Sequence, residues 1–310
     1  MSITRGVVGF SLAFLLVSWG NARADSTYKP SGAVVQETTY VFAPHPNLNP
    51  QDLYKAYEPV VRYLERKIPG VRFSIESSKD YPDYEAKITE RRFHFGIPNP
   101  FQTALGLEHG YRVIAKMTPD EDFRGLMVAR KGSKLRIPTD LAGKPLCFIS
   151  PSAVAATMLP LLYLHDHGLN VTNSQIEYVG SPFSAIMHVY TGDAAACGVS
   201  LRQWRTWARD NGDKAKQLKT LWLTNSLPSN GVVARDDVPE KVAQQVAAAL
   251  AGMDRDKDMD QSQFKFDQNH YELANAETYK PFFDFLKHYD ETIGLPPAMK
   301  ILKRAYLGKP

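Results

Sequence analysis

Leu126-Met-Val-Ala-Arg130 and Gly231-Val-Val-Ala-Arg235 are near-copies of each other, and they bracket a stretch with the grammar of a complete α/β unit. Each reads as a short apolar strand. Between them come strand Leu146–Ile149 and helix Ser152–His167, which stops at Gly168, then strand Ile176–Val179 and helix Phe183–Thr191, stopped by Gly192. Strand Ala195–Val199, helix Leu201–Asn211 and strand Leu218–Leu223 complete the unit. Upstream, Tyr40–Ala43 is a strand halted by Pro44 and Pro46. Asn49-Pro50 then offers a cap and a first-turn proline to a helix whose apolar stripe is Leu53, Tyr57, Val60, Val61 and Leu64. Strand Arg72–Glu76, helix Tyr84–Arg91, strand Phe93–Ile97 with its three apolar side chains on one face, and strand Arg112–Lys116 follow. This βαβαβ order predicts a parallel sheet covered by helices. The expected architecture is α/β, two doubly wound lobes. If the twin segments each cross between lobes, a two-strand hinge joins residues 25–129 plus 235–310 to residues 130–234. Helices Pro239–Gly252 and Glu277–His288 are expected to pack back on the first lobe.

With 310 residues, 44% of them hydrophobic and 23% charged, the chain is long enough for two cores and excludes disorder or a disulfide-rich miniprotein. A net charge of +4 with no long basic run argues against a nucleic-acid partner. Arg5 precedes an apolar stretch, Gly6–Trp19, that is short for a bilayer span, and Ala22-Arg23-Ala24 has small residues where a signal peptidase needs them. Residues 1–24 are therefore expected to be a signal peptide. The mature chain would start near Asp25, soluble and without a lipid-anchoring cysteine, and in a Gram-negative cell it would be periplasmic.

Strand ends that lead into helix N-termini are where open α/β sheets bind ligands, because free backbone N–H groups and the positive dipole end meet there. Three such ends stand out: Pro98-Asn-Pro-Phe-Gln102, Ser150-Pro-Ser152 and Gly180-Ser-Pro-Phe183. The competing reading of each is ordinary helix capping. His165-Asp166-His167 cannot chelate one ion from a regular helix, since residues two apart point about 200° apart. Asp254, Asp256, Asp258 and Asp260 mimic a calcium loop but lack its glycine and terminal glutamate, having Met259 and Lys265 instead. No metal, cofactor or enzyme motif is found.

Ala56-Tyr-Glu-Pro-Val-Val-Arg-Tyr-Leu-Glu-Arg66, Asp80-Tyr81 with Phe93-His-Phe-Gly-Ile-Pro-Asn-Pro-Phe101, Val128-Ala-Arg-Lys-Gly-Ser133 with Leu141-Ala-Gly-Lys144, and Leu227-Pro228 with Val233-Ala-Arg-Asp-Asp237 together cover most of residues 40–252. In these stretches the chain resembles the PhnD-like phosphate/phosphite/phosphonate-binding proteins of ABC importers, a branch of the type II periplasmic binding proteins. The resemblance implies a monomeric solute receptor without catalysis, which closes on a small ligand and hands it to an ABC permease. The sensor domain of a membrane histidine kinase is the other partner weighed, and a periplasmic enzyme using the same cleft the more remote alternative. Aligned on Pro151 and Pro160, the family's Ser-Thr-Ser-Gly cradle falls on Ala153-Val154-Ala155-Ala156, its His-Asp on Pro182-Phe183, and a later acidic position on Ser200. Tyr81, Asn99, Pro100, Phe101, Ser150, Ser152, Val154, Phe183 and Ser200 are thus the expected ligand-binding set. The lost hydroxyls predict weak phosphonate binding, and Val154 and Phe183 a smaller, drier or more apolar ligand.

Cys147 and Cys197 each lie three residues before a strand-end serine, so neighbouring strands would bring the two thiols side by side. A disulfide, a pair of buried reduced thiols and a soft-ligand site are the three readings, and an oxidising compartment favours the first.

Overall fold

Strand β1 (Thr38–Pro44) runs parallel to β2 (Val71–Ile75) on one side and β3 (Phe95–Ile97) on the other, forming the heart of the first lobe. This computed structural model describes residues 37–264 and 268–302, so the expected signal peptide lies outside the described residues. Helix α1 (Pro50–Lys67) starts where expected: the Asn49 side chain accepts the Asp52 N–H, and the Leu53, Tyr57, Val60, Val61, Leu64 stripe is buried. Helix α2 (Tyr81–Thr89) begins three residues before the expected start, because Asp80 accepts the Asp83 N–H and Pro82 sits in its first turn. Helix α3 (Pro100–Glu108) leads into β4 (Tyr111–Met117).

The first sheet has the order β11-β4-β10-β3-β1-β2. The returning strand β10 (Gly231–Arg235) inserts between β3 and β4 and is antiparallel to both, and β11 (Tyr271–Leu273) is antiparallel to β4. The expected parallel sheet is therefore mixed, because the chain comes back from the second lobe running the opposite way. Phe93 does not share a face with Phe95 and Ile97. It precedes β3 and stacks on Tyr84, whereas Phe95 and Ile97 enter a separate cluster with Phe42 and Tyr57.

The second sheet has the order β7-β6-β8-β5-β9, comprising β5 (Gly125–Arg130), β6 (Pro145–Phe148), β7 (Gln175–Tyr178), β8 (Ala196–Ser200) and β9 (Leu218–Leu221). Helices α4 (Leu159–Asp166), α5 (Pro182–Thr191), α6 (Leu201–Asp210) and the short α7 (Gly212–Ala215) connect them. Gly192 ends α5 at φ 96°, a left-handed cap that favours glycine. The helix expected from Ser152 begins with a π-helical turn, Val154–Met158, whose Ala156 carbonyl presses where a side chain on Gly198 of β8 would stand.

The twin segments are not the crossings. β5 pairs wholly within the second sheet and β10 wholly within the first, so the chain passes between lobes in residues 118–124 and 222–230. The second lobe accordingly starts near Gly125 rather than at residue 130, and the first resumes at Gly231 rather than 235. A strand whose N–H and C=O groups are fully paired in one sheet has no backbone left to serve as a flexible connector. Helix α8 (Glu240–Gly252) packs on β4 and β11 of the first lobe as expected. In contrast, Phe282, Leu286 and Tyr289 of α9 (Lys280–Thr292) belong to a cluster that includes Tyr84 and Phe101 of the first lobe and Leu146, Phe148 and Leu159 of the second.

Parallel strands β6 and β8 place Cys147 opposite Cys197, with Cα atoms 4.4 Å apart and the sulfurs joined in a disulfide. Among the described residues no three metal-ligating side chains gather around one point, and no helix is long and apolar enough to cross a membrane. Asp256 is engaged by Lys67 and Tyr63 rather than arranged with its acidic neighbours.

Candidate functional site

A cavity of about 570 Å³ opens between the lobes at the C-terminal ends of β1, β3 and β8. Its first-lobe wall comprises the turn from His45 to Pro50, Tyr81 at the start of α2, Asn99 before α3, and Met117. The second lobe contributes Ala153–Ala156, then Ser181–Phe183, and a face of α6 with Arg202, Gln203 and Trp207 beside Ser200. Both crossings also reach it, through Asp122 and Phe123 on one and Ser229 and Asn230 on the other.

Of the residues expected from sequence, Tyr81, Asn99, Val154, Phe183 and Ser200 lie on this wall. Phe183 is 57% exposed and so stands at the rim, whereas Tyr81 is buried with its ring edge-on to His45 at 5.7 Å. Burial, and after it the neighbouring Glu85 charge, raises the Tyr81 phenol's pKa, so it remains a neutral hydrogen-bonding group. Pro100, Phe101, Ser150 and Ser152 do not reach the wall. Phe101 is core, in the first turn of α3, and the two serines are buried behind the π-turn.

The capping reading holds at several strand ends. Asn99 accepts the Gln102 N–H, Ser181 the Ser184 N–H, and Ser200 the Gln203 N–H, so these side chains are engaged by their own helices. The end after β6 differs. The π-turn has no side-chain cap; instead the Ser152 hydroxyl donates to Glu85 of α2, and Ser150 Oγ lies 3.2 Å from Ser152 Oγ. Gln102 Nε2 also reaches Glu85 at 3.4 Å, and the Asn99 side-chain amide donates to the Ser152 carbonyl at 3.0 Å. Burial is the main cause raising the Glu85 pKa, and the bonds from Ser152 and Gln102 hold that rise back. Arg202 of α6 also donates to the start of the first crossing, at the Thr118 carbonyl, 3.2 Å away.

Sequence reasoning missed His45, Glu85, Arg202, Trp207 and Asn230. His45 was findable by the strand-end rule, since it directly follows β1. It is buried, its Nε2 is 3.0 Å from Asn230 Nδ2, and desolvation pulls its pKa down to about 4, so the ring is neutral at pH 7. His45 Nδ1, Asn230 Oδ1, Ser229 Oγ and Trp207 Nε1 are buried without a hydrogen-bond partner among the described residues. Such atoms are normally satisfied, so this wall holds unused capacity for neutral polar groups or water.

The sequence model for phosphonate-binding periplasmic substrate-binding proteins of ABC transporters matches residues 42–279, most of the chain. The protein belongs to this family. Phosphate-import protein PhnD of Mycolicibacterium smegmatis is 23% identical over 233 residues, 69% of this chain and 71% of the relative. Among solved structures, the binding-protein component of an ABC phosphonate transporter from Pseudomonas aeruginosa superposes with TM-score 0.75 at 12% identity, over 87% of this chain and 96% of the other. A PhnD protein from Prochlorococcus marinus, in complex with methylphosphonate, gives TM-score 0.73 at 15% identity over 82% and 98%. The fold is that of type II periplasmic binding proteins, and the family is one of periplasmic solute-binding components of ABC importers.

Proposed function

We propose that the cavity between the lobes is the solute site, that closure of the lobes on the solute creates the form an ABC permease reads, and that the protein does no chemistry on what it binds. The observation that carries this is the composition of the wall: both lobes and both crossings contribute to one cavity, so its shape depends on the angle between them. Solute contacts distributed in this way stabilise the closed form by their differential affinity for it. Membership of the family makes the permease the partner to test before a histidine kinase.

Phosphate and methylphosphonate, which the relatives' names and complexes point to, fit this wall poorly. The π-turn presents Ala153, Val154, Ala155 and Ala156 in place of hydroxyls, and the cavity is several times larger than a methylphosphonate. A solute larger, not smaller, than a phosphonate, with an apolar body and polar groups, suits this wall, which also carries Lys79 and Arg202.

Mass spectrometry of small molecules that co-purify with the exported protein, followed by titration calorimetry with the species found, tests the reading. Tyr81→Ala is expected to weaken that binding by about 1–3 kcal/mol. Unchanged affinity would remove Tyr81 from the site, and turnover of the solute would sink the receptor reading altogether.

A further inference from the structure

We infer that Arg202 is the anchor for an anionic group of the solute, and that the solute is a carboxylic acid with an apolar body. This deepens the reading of the cavity as the solute site and rests on it.

Beside the neutral His45, the acidic and basic side chains on the cavity wall are Asp52, Lys79, Asp122, Arg202 and Asp210. Each of the three acids is held by a cation that is itself off the wall: Asp52 by Lys55 at 3.6 Å, Asp122 by Arg205 at 2.6 Å and Asp210 by Arg209 at 2.9 Å. Among the described residues no carboxylate lies within ion-pair distance of Arg202 or Lys79. The charge left without a counter-ion on this wall is therefore positive.

Of the two cations, Lys79 is exposed, whereas Arg202 is half-buried and held in place. Its Nη2 donates to the Thr118 carbonyl at 3.2 Å, and its Nη1 lies 3.9 Å from Met117 Sδ. Both partners are uncharged, so they fix the guanidinium without neutralising it. They engage two of its five N–H groups and leave three for a solute. Arg202 also stands in the first turn of α6, where the helix dipole disfavours a cation and an anion bound beside it would offset the cost. A planar guanidinium matches the two oxygens of a carboxylate as a fork. A phosphonate has a third oxygen, which needs side-chain donors that Ala153–Ala156 do not supply. The same alanines, with Val154, Met117 and Trp207, give the apolar body of the acid a surface to lie on.

The test is thermal-shift screening and calorimetric titration of the full mature protein with a panel of alkyl- and aryl-carboxylates, each beside its primary amide. For the acids that bind, the wild type is expected to prefer acid to amide by at least about tenfold, which is what one charge-assisted hydrogen bond gives. Arg202→Gln should bring that ratio close to one. Arg62→Gln, which removes an exposed cation of α1 paired with Glu58 and outside the wall, should keep the wild-type ratio. If Arg202→Gln does not fold, Arg202→Met carries the comparison. A panel in which no carboxylate binds overturns the inference, and so does a preference for the acid that survives in a folded Arg202 variant. Equal losses for acid and amide would assign Arg202 to holding the crossing through Thr118, and would overturn it as well. The cavity reading fails separately, when acid binding is untouched by both Arg202→Gln and Tyr81→Ala. A neutral co-purifying solute whose binding Tyr81→Ala weakens would leave the cavity reading standing and sink the inference alone.

Discussion

Two strand ends of the second lobe, after β6 and after β8, start from the same local chemistry and finish differently. Both carry a cysteine followed three residues later by a serine, and both lead into a helical segment. After β8, Ser200 closes a capping box with Gln203, so its hydroxyl is satisfied within one turn. After β6, a proline separates Ser150 from Ser152, the helix begins as a π-turn with no side-chain cap, and the Ser152 hydroxyl turns to a carboxylate from the other lobe with Ser150 Oγ 3.2 Å from it. A serine at a strand end is thus a capping residue by default, and it joins the lobe interface where local capping fails.

The largest test of this comparison is the bond that sets the two ends at equal height. Replacing both Cys147 and Cys197 by Ala removes a 50-residue cross-link and is expected to cost up to about 4 kcal/mol in urea unfolding, on the chain-entropy account. Without reduction, neither thiol of the exported protein should be alkylated; two modified cysteines would break the pairing.

Next in size is the end of β1, where His45 is buried and neutral. Its folded pKa of about 4 lies below the ordinary value of 6.5, so the unfolded chain takes up a proton that the folded one refuses. The stability this provides is fully present above pH 6.5 and is lost as pH falls toward 4, by about 3 kcal/mol. Glu85 acts in the opposite sense, because a raised carboxyl pKa makes the folded state the better proton binder. Comparing the wild type with His45→Gln at pH 7 and pH 4 isolates the histidine: the variant should lack most of that acid loss, and parallel curves would refute the assignment.

The two serines then separate by partner. Ser152→Ala leaves the half-buried Glu85 carboxylate short of its closest donor and should destabilise by about 1–3 kcal/mol. Ser200→Ala loses only a cap, about 1 kcal/mol. Equal costs, or the reverse order, would mean that the cross-lobe bond adds nothing beyond local capping.

Much of the first layer of this structure is legible locally. Asn49-Pro50 opens α1, Gly192 closes α5, and the matched Cys-x-x-Ser spacings predict the register of β6 against β8, because each depends on groups within a few residues or on the fixed pitch of a strand. The start of α2 was missed although its signal, Asp80 before Tyr81-Pro82, is local too. The motifs that carry the resemblance lie along the chain and place it in its family without knowledge of contacts.

Tertiary structure alone decided what meets across the lobes. The twin strands look alike because each is a fully paired apolar strand; their similarity says nothing about which sheet pairs with each, and they went to different sheets. Glu85 and Ser152 are 67 residues apart, and His45 and Asn230 are 185 apart. Neither pair has a spacing rule, because no periodicity of helix or strand connects residues that only the closing of long loops brings together. Composition and capping chemistry therefore determined the elements and their ends, while the partners of the buried polar groups, and with them the character of the cleft, were settled by how the two sheets face each other.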